Sequence, residues 1–285
     1  MKPAPFSYFA PGSLEEAVGL LSQHGEEAKV LAGGQSLVPM MAFRLATPSV
    51  LIDLNGVAEL DHQRLEGDTL VLGALSRHRA VGDLGLRRRC AMLAEGIDLI
   101  GHPAIRNRGT VGGSLAHADP AAEWPAILLA LGGEVGVVGP RGRRTIDASG
   151  LFVGYFTTSL APDEILAEVR LPLPNGGRVR STFLEFARRH GDFAVAGVAA
   201  LAELDDDGSM RDARLVLIGV ADRPVRAHAA EAALRGRQPA EDVLDEAANA
   251  ALEEIDPVSD VHGSATYRRN LAKVLVRRAL ASILR

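Results

Sequence analysis

Apolar Leu14, Ala17, Val18 and Leu21 recur at the spacing of one helix face, and Ser13-Leu14-Glu15-Glu16 ahead of them forms a capping box. Gly25 supplies the stop. A short strand, Ala28-Lys29-Val30-Leu31, runs directly into Ala32-Gly33-Gly34-Gln35-Ser36, and strands over 50–54 and 69–73 complete an α+β opening section. A helix is predicted over 91–100. The stretch 101–120 then breaks both periodicities, its glycines and prolines framing the polar run Arg106-Asn107-Arg108-Gly109-Thr110-Val111-Gly112-Gly113-Ser114. A helix from about Pro125 to Leu131 and strands near 134–138 and 164–171 close the middle section.

Leu171-Pro172-Leu173-Pro174-Asn175-Gly176-Gly177 reads as a linker, because its prolines and glycines forbid a continuous element. Strands are expected near 181–188, 194–204 and 212–220, the last two joined by the hairpin signal Asp205-Asp206-Asp207-Gly208. Helices follow near 226–235, 239–255 and 265–284. Strands followed by helices give an α+β unit, not a doubly wound one. The expected organisation is a two-part front domain over 1–175, with subdomains of about 1–58 and 59–175. A small C-terminal α+β domain over 180–285 follows, a three-stranded antiparallel sheet with helices.

Composition narrows the function classes. The chain has 285 residues, 47% hydrophobic and 24% charged, ordinary values for a globular protein. A net charge of -5 without a clustered basic run argues against nucleic acid as the main partner. No apolar run reaches the roughly 18 residues needed to span a bilayer, and no signal-peptide stretch opens the chain, so a cytoplasmic setting is expected. Cys90 is the sole cysteine, which excludes an internal disulfide and an iron–sulfur cluster held by this chain alone.

The candidate chemistry lies in two glycine loops. In Ala32-Gly33-Gly34-Gln35-Ser36 the paired glycines let backbone N–H groups turn toward an anion, with Gln35 and Ser36 as further donors. Taken alone, this is equally a tight strand-to-helix turn. Thr110-Val111-Gly112-Gly113-Ser114 repeats the pattern, and a pyrophosphate, with two anionic groups, has use for both loops. Neither loop fits the Rossmann fingerprint or the P-loop pattern. Beyond the second loop stand His117, Asp119 and Glu123, acids suited to hydroxyl groups of a sugar or ribityl chain and not to phosphate. His117 reads as a metal ligand, a base or a plain loop residue. Asp119 also suits an N-cap, with Pro120 at the first helical position.

These residues resemble the FAD-binding medium subunit of the carbon monoxide dehydrogenase and xanthine dehydrogenase family. The resemblance runs through the whole chain, including Phe6-Ser7-Tyr8-Phe9-Ala10-Pro11, Gly154-Tyr155-Phe156-Thr157-Thr158 and Arg188-Arg189-His190-Gly191-Asp192-Phe193-Ala194. It implies a pyrophosphate held by Ala32, Gly33, Gly34, Gln35 and Ser36 and by Thr110, Val111, Gly112, Gly113 and Ser114, with Gly109 and Ala118 adjoining. It places Glu123, usually Asp in the family, on the ribityl chain and Leu160 close to the isoalloxazine ring. Phe193 falls where an aromatic, usually tyrosine, covers that ring. Phe193 is otherwise a core aromatic at the start of a strand. Two departures stand out: Ser114 replaces a common Asn, and Glu185 occupies a position that is often Lys. A carboxylate near a flavin opposes its anionic reduced form, so Glu185 bears on redox tuning.

The resemblance further implies two partners, a large molybdopterin-binding subunit and a small subunit with [2Fe–2S] clusters, as a dimer of heterotrimers. Electrons then reach FAD from the clusters and leave to an external acceptor. Neither a catalytic acid or base nor a metal ligand is expected on this chain. The alternative is a self-contained FAD-dependent oxidase or dehydrogenase, though residues 180–285 contain no evident catalytic cluster. The substrate and the final acceptor stay open.

Overall fold

In the computed structural model, residues 2–175 and 178–284 are described, so Gly176 and Gly177 of the expected linker lie outside the described residues. Strands β1 (Ser7–Phe9), β2 (Ala28–Leu31) and β3 (Val50–Asp53) form a parallel sheet in the order β1-β3-β2. The helix Leu14–His24 buries Leu14, Ala17, Val18 and Leu21 against Ala28, Val50 and Ile52 of that sheet. Ser13 Oγ accepts from the Glu16 N–H at 3.2 Å. Glu16 reaches one residue further back than a capping box requires and accepts from the Gly12 N–H at 2.9 Å.

The central sheet contains β4 (Gln63–Glu66), β5 (Thr69–Gly73), β6 (Glu134–Gly139), β7 (Gly142–Asp147) and, after a small hairpin of β8 (Phe152–Gly154) and β9 (Thr157–Thr158), β10 (Ile165–Pro172). Its order is β4-β5-β10-β6-β7, antiparallel throughout. Against it pack the helices Ala91–Leu99, Val111–His117 and Glu123–Leu131. The last is apolar on every side, with Trp124, Ala126, Ile127, Leu128 and Ala130 fully buried, as an all-round hydrophobic helix must be.

The third sheet corrects one expectation, since it has four strands and not three. It comprises β11 (Val179–Phe186), β12 (Ala196–Leu204), β13 (Met210–Ile218) and the two-residue β14 (Val225–Arg226). Along β12, Ala196, Val198, Ala200 and Ala202 face the helices His228–Leu234, Glu241–Ala250 and Ala265–Ile283, while Ala199 and Leu201 join the central core. A strand covered on both faces reads as a continuous apolar run, which is what the sequence shows there. The C-terminal unit is therefore not free-standing, because one face of its sheet belongs to the core beneath the central helices. No helix among the described residues is long and apolar enough to cross a membrane.

Candidate flavin site

The first glycine loop leaves β2 at Leu31 and turns at Gly34, whose φ of 72° lies in the left-handed region that favours glycine. A Cβ on Gly33 would strike the Arg108 carbonyl oxygen and stand 2.8 Å from Gly109 Cα. Close approach to the second loop therefore requires glycine here. Gln35 is partly committed to the loop itself, its Nε2 donating to the Gly33 carbonyl at 3.0 Å. The backbone N–H groups of Gly33, Gly34, Gln35 and Ser36 find no acceptor among the described residues. Four unpaired donors in one turn form a cradle for an anion.

The second motif is not a loop but the first turn of the helix Val111–His117, with Thr110 as N-cap. Its two glycines are spent differently from the expectation. The Gly112 N–H donates to the Ala74 carbonyl at 2.9 Å, and the Gly113 N–H to Thr110 Oγ at 3.1 Å. A Cβ on Gly112 would lie 2.5 Å from Ala74 Cβ, so this glycine serves the junction between helix and sheet. Gly113 does face the first loop, for its Cβ would stand 3.6 Å from Ala32 Cβ. The two motifs are thus brought side by side.

Residues that sequence reasoning missed hold them there. Asn55 Nδ2 donates to the Ala32 carbonyl at 2.9 Å, and Arg77 donates to Asn55 Oδ1 at 2.5 Å and to the Arg108 carbonyl. Trp124 Nε1 donates to His78 Nδ1 at 2.9 Å, and Gly109 lies against the His78 ring. Burial, with Arg106 and Arg77 adding their charge, pushes His78 down to about 3, so it is a neutral acceptor throughout the working pH range. Arg106 does not reach toward the first loop, because it donates to the carbonyls of Asp98, Ile100 and Gly101. Asn55, Arg77 and His78 are single polar residues without a motif, and only their tertiary placement marks them.

Further along, Ala118 closes the helix in the left-handed region with φ 52° and is buried. Asp119 does not cap the next helix, which begins at Glu123. It closes a turn by accepting from the Ala121 N–H at 2.8 Å. The His117 ring lies 5.1 Å from that of Phe156, and no group of metal-ligating side chains occurs among the described residues. Glu123 is buried without a side-chain partner on another residue, and Glu185 Oε2 is likewise buried without one. Burial, reinforced by the Glu185 carboxylate and by Asp119, pushes Glu123 up to about 8. Burial alone pushes Glu185 up to about 7. Leu160 is half-buried against the central core. Phe193 is 61% exposed, which overturns its alternative as a core aromatic.

A glycine turn with free amides set against a glycine-containing helix start, a buried carboxyl pair and an exposed aromatic suit a dinucleotide on a mixed α and β scaffold. The comparisons make the class specific. Residues 4–174 match the FAD binding domain in molybdopterin dehydrogenase, and residues 181–283 match the CO dehydrogenase flavoprotein C-terminal domain. The chain belongs to this family of FAD subunits of oxidoreductases. It is similar to the nicotine 6-hydroxylase medium subunit of Paenarthrobacter nicotinovorans, with 43% identity covering 98% of each chain. It is 38% identical to the carbon monoxide dehydrogenase medium chain of Hydrogenophaga pseudoflava, over 98% of this chain and 97% of that one. A solved carbon monoxide dehydrogenase from Hydrogenophaga pseudoflava superposes with a TM-score of 0.95 at 39% identity, covering 99% of this chain and 98% of the other.

Proposed function

We propose that this chain carries FAD as the electron-output subunit of a molybdenum hydroxylase complex. Electrons arrive from the [2Fe–2S] clusters of a small partner subunit and leave to an external acceptor, while the organic substrate is oxidised on a large molybdopterin subunit. The observation that carries the proposal is the cradle of four unpaired backbone donors at Gly33–Ser36, held against Gly109–Gly113 in a chain of the FAD-binding family. A pyrophosphate fits that cradle. Bound there, FAD supplies one- and two-electron redox chemistry.

The chain's own residues then have separate tasks. Ala32 through Ser36 supply backbone donors, and Gly109, Thr110, Val111 and Gly112 form the floor that keeps them aligned. Gly113, Ser114 and Ala118 border the phosphates, with the Ser114 hydroxyl as a donor. Glu123, whose carboxyl holds a proton near neutrality, can donate to or accept from a ribityl hydroxyl. Leu160 and Phe193 flank the ring. We also propose that the chain divides into an FAD-binding domain over 1–175 and a C-terminal domain over 180–285, and that it works in the cytoplasm. The sole cysteine, Cys90, is buried and its thiol is pushed up by burial, which suits a packing role.

Phe193→Ala should change flavin fluorescence and reoxidation rate while most FAD stays bound, because an offset stack contributes on the order of 1 kcal/mol. An unchanged spectrum and rate would remove Phe193 from the ring. The division of labour has its own test. The purified FAD-loaded chain should be reduced by dithionite and reoxidised by ferricyanide, yet hydroxylate no aldehyde, purine, N-heterocycle or carbon monoxide until the partner subunits are added. Substrate turnover by the chain alone would revive the self-contained oxidase.

A further inference from the structure

The segment 187–194, which carries Phe193, lies outside helix and strand. Its base is closed by the Val195 N–H, which donates to the Phe186 carbonyl at 2.8 Å. Just beyond Phe193 the buried Arg268 guanidinium donates to the Val195 carbonyl at 2.6 Å and to the Gly219 carbonyl at 2.8 Å, and it pairs with Asp260 at 2.7 Å. Those bonds fix the end of the segment that follows Phe193. Within the segment the Asp192 N–H donates to the Arg189 carbonyl at 3.1 Å, a local turn that cannot by itself place the segment on the rest of the molecule.

His102 supplies the anchor ahead of Phe193. Gly191 lies so close to the His102 ring that a Cβ there would stand 2.6 Å from Cε1, 2.8 Å from Nδ1 and 3.0 Å from Nε2. The φ of 89° at Gly191 also favours glycine. The His190 ring meets that of His102 edge on, with centroids 6.1 Å apart and planes at 66°. Phe193 therefore stands between two anchored points, Gly191 on the His102 ring and Val195 on Arg268. His102 has a fixed place of its own, because its carbonyl accepts from the Ile105 N–H at 2.8 Å and the Arg106 N–H at 3.0 Å where the helix Pro103–Arg108 begins. Arg106 ties that helix back to the carbonyls of Ile100 and Gly101. At the far end stand Arg108 and Gly109, against which Gly33 packs. Six helical residues at about 1.5 Å each make a spacer of about 9 Å, with the anion cradle at one end and the Phe193 segment at the other.

We propose that His102 is a positioning residue for the flavin: through Gly191 it sets where Phe193 stands, and the helix Pro103–Arg108 registers that ring cover against the pyrophosphate cradle. This rests on the FAD-binding role proposed above, in which Phe193 flanks the ring. The contact uses the flat face of the imidazole, so a phenyl ring at the same place should serve as well.

In the flavin-free full chain, hydrogen exchange over 187–194, read by mass spectrometry, should quicken about tenfold in His102→Ala and keep the wild-type rate in His102→Phe. Neither variant touches the backbone bonds that open the helix Pro103–Arg108. In the FAD-loaded chain, His102→Ala should alter flavin fluorescence in the same direction as Phe193→Ala, and His102→Phe should restore it. FAD content should be kept, since the donors of Gly33–Ser36 are unchanged. Added to Phe193→Ala, His102→Ala should change the fluorescence no further, because the two residues act in series on one ring. A wild-type exchange rate in His102→Ala, or a full additional flavin change in the double variant, would overturn the positioning role. Unaltered fluorescence in Phe193→Ala alone would instead overturn the ring assignment, and the exchange rates, read without FAD, separate the two failures.

Discussion

Gly33→Ala should yield a folded chain that has lost most of its FAD. The added methyl would meet the Arg108 carbonyl oxygen and Gly109 Cα, both backbone atoms that cannot step aside as a flexible side chain could. The first loop must then lift away from Arg108 and Gly109, and the backbone that carries the unpaired N–H groups of Gly33 through Ser36 shifts with it. Overpacking of this kind costs about 1–3 kcal/mol, and at about 1.4 kcal/mol per tenfold in affinity the FAD dissociation constant should rise by roughly ten- to a hundredfold. Flavin absorbance per chain after reconstitution reads the loss, and thermal melting of the flavin-free chain shows whether the fold survives. Gly19→Ala is the control, since nothing lies within 4 Å of a Cβ there and the helix should be slightly strengthened. Gly112→Ala should behave differently, losing stability first, because its amide is already bonded to Ala74 and its Cα abuts that residue. Wild-type FAD affinity in Gly33→Ala would disprove the cradle.

The flavin-free chain should become less stable as pH rises from about 4.5 to 8. Glu123 in the folded chain keeps its proton up to about 8 because it is buried beside the Glu185 carboxyl and near Asp119, whereas an unfolded chain releases it in the ordinary range, near 4.3. Between those values the folded state binds more protons than the unfolded state, so stability falls with rising pH. The contribution is fully present below the unfolded value and is lost as pH passes through the folded one. Glu185, pushed up to about 7, acts in the same direction over the lower part of the window. Glu123→Gln cannot ionise, and at pH 8 it should exceed the wild type by a few kcal/mol, on the order given by the linkage relation. Urea unfolding at pH 5, 6.5 and 8 measures both slopes. Parallel slopes for wild type and variant would show that Glu123 is not held as a buried acid.

The chain's own order of residues determined which segments are helices and strands wherever one face is buried. Leu14, Ala17, Val18 and Leu21 mark a helix because their spacing matches its turn, and β12 shows as an apolar run because both its faces are covered. The edge strand β7 is not legible for the converse reason. In β7 only Ile146 is buried, so no alternation exists to be read. Both glycine motifs were also legible, since glycine at a fixed place is a local requirement of backbone geometry. What each glycine does was not legible. Gly33 and Gly112 stand in similar sequence, yet one leaves its amide free in a turn and the other spends it on Ala74, because only the packing of the second motif against the central sheet supplies that carbonyl. In the same way, Asn55, Arg77 and His78 acquire their bracing role from partners 23, 31 and 46 residues away along the chain. Burial of Glu123 beside Glu185 likewise exists only where distant segments meet. Desolvation is a property of that meeting, and a linear sequence does not contain it.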